Sequence, residues 1–245
     1  MASTVTPLHC GTVHLDKSIL TDGVDRGQVI PAPSMAFLIQ GPDTILVDTS
    51  FGDPERMSTL HYPCDRDDDQ TLAAGLGRHG LAVDDIDTVV LTHLHWDHCY
   101  NLDRFEHADI LVSRTELAYA IAPYDMHAVP YESKAIGRTP PWLSVALEPI
   151  EGETQIGADV TAFPTPRHAV GHQSIAVETE VGTVVVAGDA IPTFENLEGT
   201  AHAAYVPGTN VDTFAWWHSA QKIERRADVI LPGHEPAILE EGTVG

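Results

Sequence analysis

Lysine is almost missing from this sequence: it occurs only at Lys17, Lys134 and Lys222, and Lys plus Arg total 13 against 36 Asp plus Glu, for a formal charge of −23. A chain so short of cationic side chains is poorly suited to phosphate backbones or anionic lipid surfaces, which argues against nucleic acid and membrane as partners. Cysteine is scarce as well. Cys10, Cys64 and Cys99 are odd in number and far apart, so no disulfide framework is expected, and a reducing compartment, the cytoplasm, is the expected location. No apolar run reaches the roughly 18 residues of a membrane span. Met1 to Cys10 has neither the basic start nor the apolar stretch of a secretion signal.

What is present suffices for a sizeable core. With 43% hydrophobic residues in 245, the expectation is a single domain over 1–245, with approximate halves at 1–121 and 143–245. Between the halves, 122–142 is rich in Pro, Tyr and Met and has no clear period, which predicts an irregular insertion over a site. Thr12 to Leu20 reads as a strand, Met35–Gln40 and Thr44–Asp48 as a hairpin around Gly41-Pro42-Asp43, and Thr49–Gly52 as a turn. Asp68 or Asp69 opens a predicted helix through about Arg78, with Leu72 and Leu76 on one face. Thr88–Thr92 and Ala108–Val112 read as strands, and Ser113-Arg-Thr-Glu116 as a capping box opening a helix to about Ile121. In the second half, Val160–Phe163, Ser174–Glu178, Thr183–Ala187 and Val229–Leu231 read as strands. Asp212 caps a predicted helix from Thr213 to Ala227, striped by Trp216, Ala220, Ile223 and Ala227.

The densest chemistry lies in Thr92-His-Leu-His-Trp-Asp-His98, directly after a β-prone run. His93 and His95 are two apart, so at a strand end both imidazoles point to one side. Asp97 and His98 add a carboxylate and a third imidazole. So many ligand-type groups close together are costly to desolvate unless they share a cation, and the stretch reads as half of a metal site. Three further candidates, His168, Asp189 and His234, also stand just past predicted strands, where a shared sheet edge lets distant residues converge.

His-x-His-x-Asp-His, then Thr165-Pro-Arg-His168, Gly188-Asp189 and Pro232-Gly-His234, in this order, resemble the metallo-β-lactamase superfamily across nearly the whole chain. The resemblance implies an αβ/βα four-layer sandwich, two mixed β-sheets flanked by helices. It also implies that His93, His95 and His168 hold one divalent metal and Asp97, His98 and His234 a second, with Asp189 bridging. The imidazole-rich set suits Zn(II), with Mn, Fe or Co as alternatives, and His95 stands where the diiron oxidase branch usually has Glu. By the same resemblance a metal-bridging hydroxide attacks a carbonyl, and Asp97 is the catalytic residue that takes and returns the proton. His172 is expected to steady the His168 loop through a hydrogen bond without binding metal. Cys99 is read as a buried thiol, and His9, His14, His61, His79, His107, His127 and His218 as ordinary histidines.

Together with His168-x-x-Gly-His172-Gln-Ser174 and Leu231-Pro-Gly-His234, the pattern most resembles the N-acyl homoserine lactone lactonase family, whose members open a lactone ring and are commonly homodimers. In that family a Tyr three residues past the bridging Asp hydrogen-bonds the substrate carbonyl; here the position is Pro192. Tyr205, His202 or Tyr131 would then have to supply the hydrogen bond, or the metals act alone, while Phe51, Trp142, Phe194 and Tyr205 are candidates for an acyl pocket. A small-molecule lactone is the expected substrate. A glyoxalase II-like thioesterase, a β-lactamase or another carboxylic ester hydrolase would use the same site, and a mononuclear iron persulfide dioxygenase would share its first half.

An Asp-rich, Lys-poor surface also suits concentrated salt, where the Debye length falls to roughly 3 Å at 1 M and self-repulsion is relieved. A melting temperature that climbs steeply with molar KCl is the expected outcome; full stability in dilute buffer would contradict a halophilic origin.

Overall fold

The computed structural model describes residues 2–199 and 205–245. In chain order the elements are β1 (Thr4–Asp16), β2 (Val29–Gln40), β3 (Thr44–Val47), α1 (Pro54–Leu60), β4 (Cys64–Asp65), α2 (Leu72–Arg78), β5 (Thr88–Val90), β6 (Asp109–Ser113) and α3 (Arg114–Ile121). They continue with β7 (Glu148–Ile150), β8 (Thr154–Gln155), β9 (Val160–Pro164), β10 (Gln173–Thr179), β11 (Gly182–Gly188), α4 (Thr213–Arg226), β12 (Val229–Pro232) and α5 (Ala237–Glu241). One sheet has the order β4-β1-β2-β3-β5-β6-β7 and the other β12-β11-β10-β9-β8. Both are mixed: β3, β5, β6 and β7 run parallel, as do β11 and β12, and the remaining pairs are antiparallel.

The period-two alternation of the strands separates the layers. On β2, Met35, Phe37 and Ile39 meet Ile175 and Val177 of β10 and Val184 and Val186 of β11 between the sheets. The alternate residues Ala36 and Leu38 face Leu72 and Leu76 of α2, while Ala176, Val185 and Ala187 face Trp216, Ala220 and Ile223 of α4. The layering is therefore helix, sheet, sheet, helix. At seven residues each, α1 and α2 are shorter than the ~12–15 a helix needs to persist alone. Burial against the sheets, worth about 1.5–3 kcal/mol for each large apolar side chain, holds them in place. No helix of the described residues is long and apolar enough to cross a membrane.

Several elements depart from the sequence reading. β1 begins at Thr4 and bulges between His9 and Thr12, where Gly11 takes φ +111°, a conformation that favours glycine, and where a Cβ would also collide with the Phe51 ring. That bulge hides the strand in the sequence. The helix expected from Asp68 or Asp69 is two pieces, a 3-10 turn Asp68–Gln70 and then α2, because Thr71 is extended and caps Ala74 N–H. Helix α1, begun by the Asp53 cap and Pro54, was not anticipated. Neither were the short strands β7 and β8, which carry too few residues to display a period. The stretch 122–142 is irregular as expected, with short 3-10 turns at Asp125–His127 and Lys134–Ile136 and a third beginning at Pro141.

Candidate metal centre

Parallel pairing fixes where the ligand-type residues emerge. Gly188 on β11 pairs beside Pro232 on β12, so Asp189 and His234 leave the sheet side by side. Gly233 between them is obligatory, since a Cβ there would lie 2.5 Å from Asp189 Oδ1. In the other sheet β3 and β5 run parallel and end at Asp48 and at the Thr92–His98 loop. Asp48 adopts φ +59°, a left-handed conformation Asp tolerates better than most residues. There it accepts Thr92 N–H (2.8 Å) and Thr92 Oγ1–H (2.7 Å).

The imidazoles are oriented from behind. His98 Nδ1 is 2.8 Å from Asp48 Oδ2, His234 Nδ1 2.9 Å from Pro33 O, and His168 Nδ1 3.0 Å from Thr209 O. In each case Nδ1–H donates to the oxygen, and the lone pair of Nε2 is left facing the cluster. His98 Nε2 and His234 Nε2 stand 3.3 and 3.2 Å from Asp189 Oδ1, and His168 Nε2 is 3.3 Å from Asp189 Oδ2. Asp97 Oδ2 lies 3.9 Å from both His98 Nε2 and His234 Nε2. His95 Nδ1 is 3.1 Å from His168 Nε2. The ligand atoms fall into overlapping groups, His93–His95–His168, His93–His98–Asp189 and Asp97–His98–His234, each within 4.8 Å.

This gathering fits divalent cations. His93 Nε2, His98 Nε2 and Asp189 Oδ1 are buried with no hydrogen-bond partner, a condition that costs about 1–3 kcal/mol per group and that coordination relieves. Burial, reinforced by neighbouring imidazoles, drives the pKa of His93 and His95 well below the ordinary value, the neutral form a ligand requires. For Asp189 burial acts upward, but His234, His98 and His168 outweigh it and hold the carboxyl well below its usual range. The same balance runs the other way for His98 and His234, where Asp189 overcomes desolvation and raises both.

His172 sits behind this group. Its Nδ1 is 3.0 Å from Thr165 Oγ1, its ring lies 5.2 Å from that of His93, and burial depresses its pKa to about 3. Cys99 is buried, and its Sγ donates to His95 O.

Glu116 does something its sequence position did not suggest. Ser113 caps Glu116 N–H as expected, but the Glu116 carboxylate does not return to the cap. It is fully buried, with Oε1 accepting Leu94 N–H (3.1 Å) and Tyr131 O–H (2.8 Å) and Oε2 accepting Gly171 N–H (2.8 Å). It thus clasps the loop between His93 and His95 to the loop between His168 and His172. Gly171 permits the approach, because a Cβ there would be 2.1 Å from Glu116 N.

Beside the cluster opens a cavity of about 130 Å³. Val13, Leu15, Ile19 and Leu20 form one apolar wall, Trp96, Val129, Pro130 and Pro192 another, and His61, Tyr62 and Thr209 contribute polar groups. Of the residues expected to contact substrate, none of the described ones lines it. Phe51 lies fully buried behind Trp96 (rings 6.1 Å apart) and beneath Arg66. Trp142 belongs to the core that holds Leu94 and Phe105. Tyr131 stacks edgewise on His95 with its hydroxyl committed to Glu116. Phe194 packs into the inter-sheet core, and Tyr205 uses its carbonyl to accept Asn196 Nδ2–H. His202 lies outside the described residues. His61, read as ordinary, is instead a wall residue stacked on Trp96, its ring centroid 4.2 Å away. Nothing periodic in the sequence marks His61 or Tyr62; their one signal is their place just after the Asp53-Pro54 helix start.

Replacing Glu116 by Gln turns one acceptor oxygen into a donor facing Gly171 or Leu94 N–H. The expected result is a folded protein whose zinc affinity, measured by chelator competition, falls at least about tenfold, within the range for groups that orient ligands; unchanged affinity would reduce the clasp to ordinary packing.

The sequence model described as the metallo-beta-lactamase superfamily matches residues 29–234. An N-acyl homoserine lactonase of Bacillus thuringiensis is 31% identical over 204 residues, 77% of this chain and 76% of its own length. The lactonase AiiB of Agrobacterium fabrum is 33% identical over 230 residues, 85% and 81% of the two chains. Metallo-beta-lactamase domain-containing protein 1 of Xenopus laevis is 33% identical over 224 residues, 89% and 78%. Among solved structures, an N-acyl homoserine lactone hydrolase with N-hexanoyl-L-homoserine at its metal centre superposes with TM-score 0.80 at 22% identity, covering 98% and 97% of the chains. The strand-end cluster, the two-sheet sandwich and a match spanning most of the sequence agree, and the chain belongs to the metallo-beta-lactamase superfamily.

Proposed function

We propose that this protein is a metal-dependent hydrolase that opens lactone rings, N-acyl homoserine lactones or close relatives. His93, His95 and His168 would hold one divalent cation and Asp97, His98 and His234 a second, with the Asp189 carboxylate between them. Imidazole nitrogen with few carboxylates favours zinc, and a neighbouring fold, AidC, is described as a dizinc lactonase. Such cations, when bound, supply Lewis acidity and make water acidic enough to attack near neutral pH.

The protein's own contributions are positional and protonic. Asp97 is the one half-buried member of the ligand cluster; the other members are buried. It lines the cavity, so its carboxylate can take the proton released as water adds to the ester carbon and deliver it to the departing ring oxygen. The ring opens to a carboxylate and a hydroxyl. The apolar walls exclude bulk water and receive the uncharged part of the substrate.

The observation that carries the choice of substrate is the charge of the cavity. Among the described residues no Lys or Arg lines it, so apart from the metals it offers no cationic side chain to seat the carboxylate of a penicillin-type β-lactam or of a glutathione thioester. A neutral lactone needs none. The space of about 130 Å³ beside the cluster would receive the ring and the start of a chain. A longer tail would run outward along Val13, Leu15 and Leu20. Relatives named as lactonases at 31–33% identity support the same reading.

The test is proton release by metal-replete enzyme in high KCl from short and long acyl homoserine lactones, simple γ- and δ-lactones, an anionic thioester and a β-lactam. Lactones should be opened at least about a hundredfold faster in kcat/KM than the anionic substrates, or ~2.7 kcal/mol of preference. Faster turnover of the thioester or the β-lactam would reject the assignment.

A further inference from the structure

The cavity wall carried by the end of α1 is held with unusual rigidity for a loop. His61, the residue that closes α1, lies flat on Trp96, with ring planes 6° apart. Its Nε2 meets the carboxylate of Glu132, which is fully buried at φ +51°. Glu132 in turn accepts Arg138 Nη1–H (3.0 Å), and Arg138 Nη2–H donates back to Leu60 O (2.9 Å). Trp96 N–H donates to Pro130 O (2.9 Å). A closed circuit therefore ties the end of α1, the 122–142 stretch and the metal-ligand loop together. Removing one partner of such a buried pair leaves an uncompensated charge, so the circuit holds together as a unit. No step of the hydrolysis uses this circuit, and the residue it fixes in place is the next one, Tyr62.

Tyr62 lines the cavity and is 40% exposed. Among the described residues its hydroxyl has no hydrogen-bond partner, and its carbonyl only accepts Cys64 Sγ–H. Of the other polar groups of the wall, His61 Nε2 is bound to Glu132 and Asp97 belongs to the ligand cluster, while Thr209, whose carbonyl accepts His168 Nδ1–H, carries a second hydroxyl without a hydrogen-bond partner among the described residues. Pro192 has no hydrogen to donate. Burial, then the charges of Asp97 and Asp16, push the phenol's pKa up, which keeps its proton on.

We propose that the Tyr62 hydroxyl donates the hydrogen bond that holds the reacting carbonyl oxygen of the substrate, with the His61–Glu132–Arg138 circuit fixing it on the cavity wall. The inference rests on the ester-opening reading above. Negative charge grows on that oxygen as water adds, so the bond strengthens in the transition state more than in the bound substrate, and its loss falls on kcat rather than KM.

Tyr62→Phe removes the donor and keeps the ring. Assayed metal-replete beside the wild type on a short acyl homoserine lactone, it should lose about 10²-fold in kcat with KM changed less than about threefold, while metals per chain and melting temperature stay at wild-type values. If the wild type opens the lactone and Tyr62→Phe matches it in kcat, the Tyr62 contact is overturned and the lactonase reading stands. If the variant loses metal or melts early, its lost activity has a structural origin and the contact is equally overturned. A wild type inactive on every lactone removes the lactonase reading and the contact with it.

Discussion

Nitrogen and oxygen atoms crowded into a buried volume must share positive charge, as protons or as metal, and this protein packs many such groups together. His95 Nδ1 and His168 Nε2 are 3.1 Å apart, and Asp189 lies within 3.3 Å of three imidazole nitrogens. A protein interior does not tolerate that arrangement without positive charge to share. Much of the architecture around the site serves to hold the groups in place. Asp48 and the carbonyls of Pro33 and Thr209 orient three rings, and Glu116 clasps the two histidine loops.

The sandwich supplies the rigid frame for this. Because β11 and β12 run parallel, as do β3 and β5, ligands far apart in sequence leave their sheets at shared edges. The core between the sheets is built from alternating strand residues such as Phe37, Ile39, Val177 and Val186. A one-residue slip in β10 or β11 would exchange the two faces and withdraw Asp189 from the cluster. Site geometry and core packing are thus the same constraint seen from two ends.

How much of this was readable in the sequence divides along the same line. Each candidate ligand lies at or just past an apolar run that marks a strand end, so His93, His95, Asp97, His98, His168, Asp189 and His234 could be gathered before any coordinates. The sandwich was implied by the resemblance of the motif series to the metallo-β-lactamase superfamily, since strand lengths and alternation alone do not fix how two sheets pack. The cavity wall could not be read this way. Val13 and Leu15 belong to a strand interrupted by the Gly11 bulge, and His61 and Tyr62 to the end of a short helix; their roles arise from tertiary contacts that leave no period. The aromatic residues singled out as pocket candidates failed for a related reason, since Phe51 and Trp142 serve the core as well as they would serve a substrate. Glu116 shows the limit most clearly. Ser113-Arg-Thr-Glu116 has the pattern of a capping box, yet the carboxylate is claimed by Leu94, Gly171 and Tyr131, two of them far away in sequence.

The central claim is that one buried cluster binds two cations with Asp189 shared between them. Calorimetric titration of the metal-free protein with Zn(II), with bound metal counted by elemental analysis after desalting, tests it directly. Two zinc ions per chain, with proton release as the imidazoles exchange H⁺ for metal, is the predicted result. Saturation at one ion per chain would contradict it.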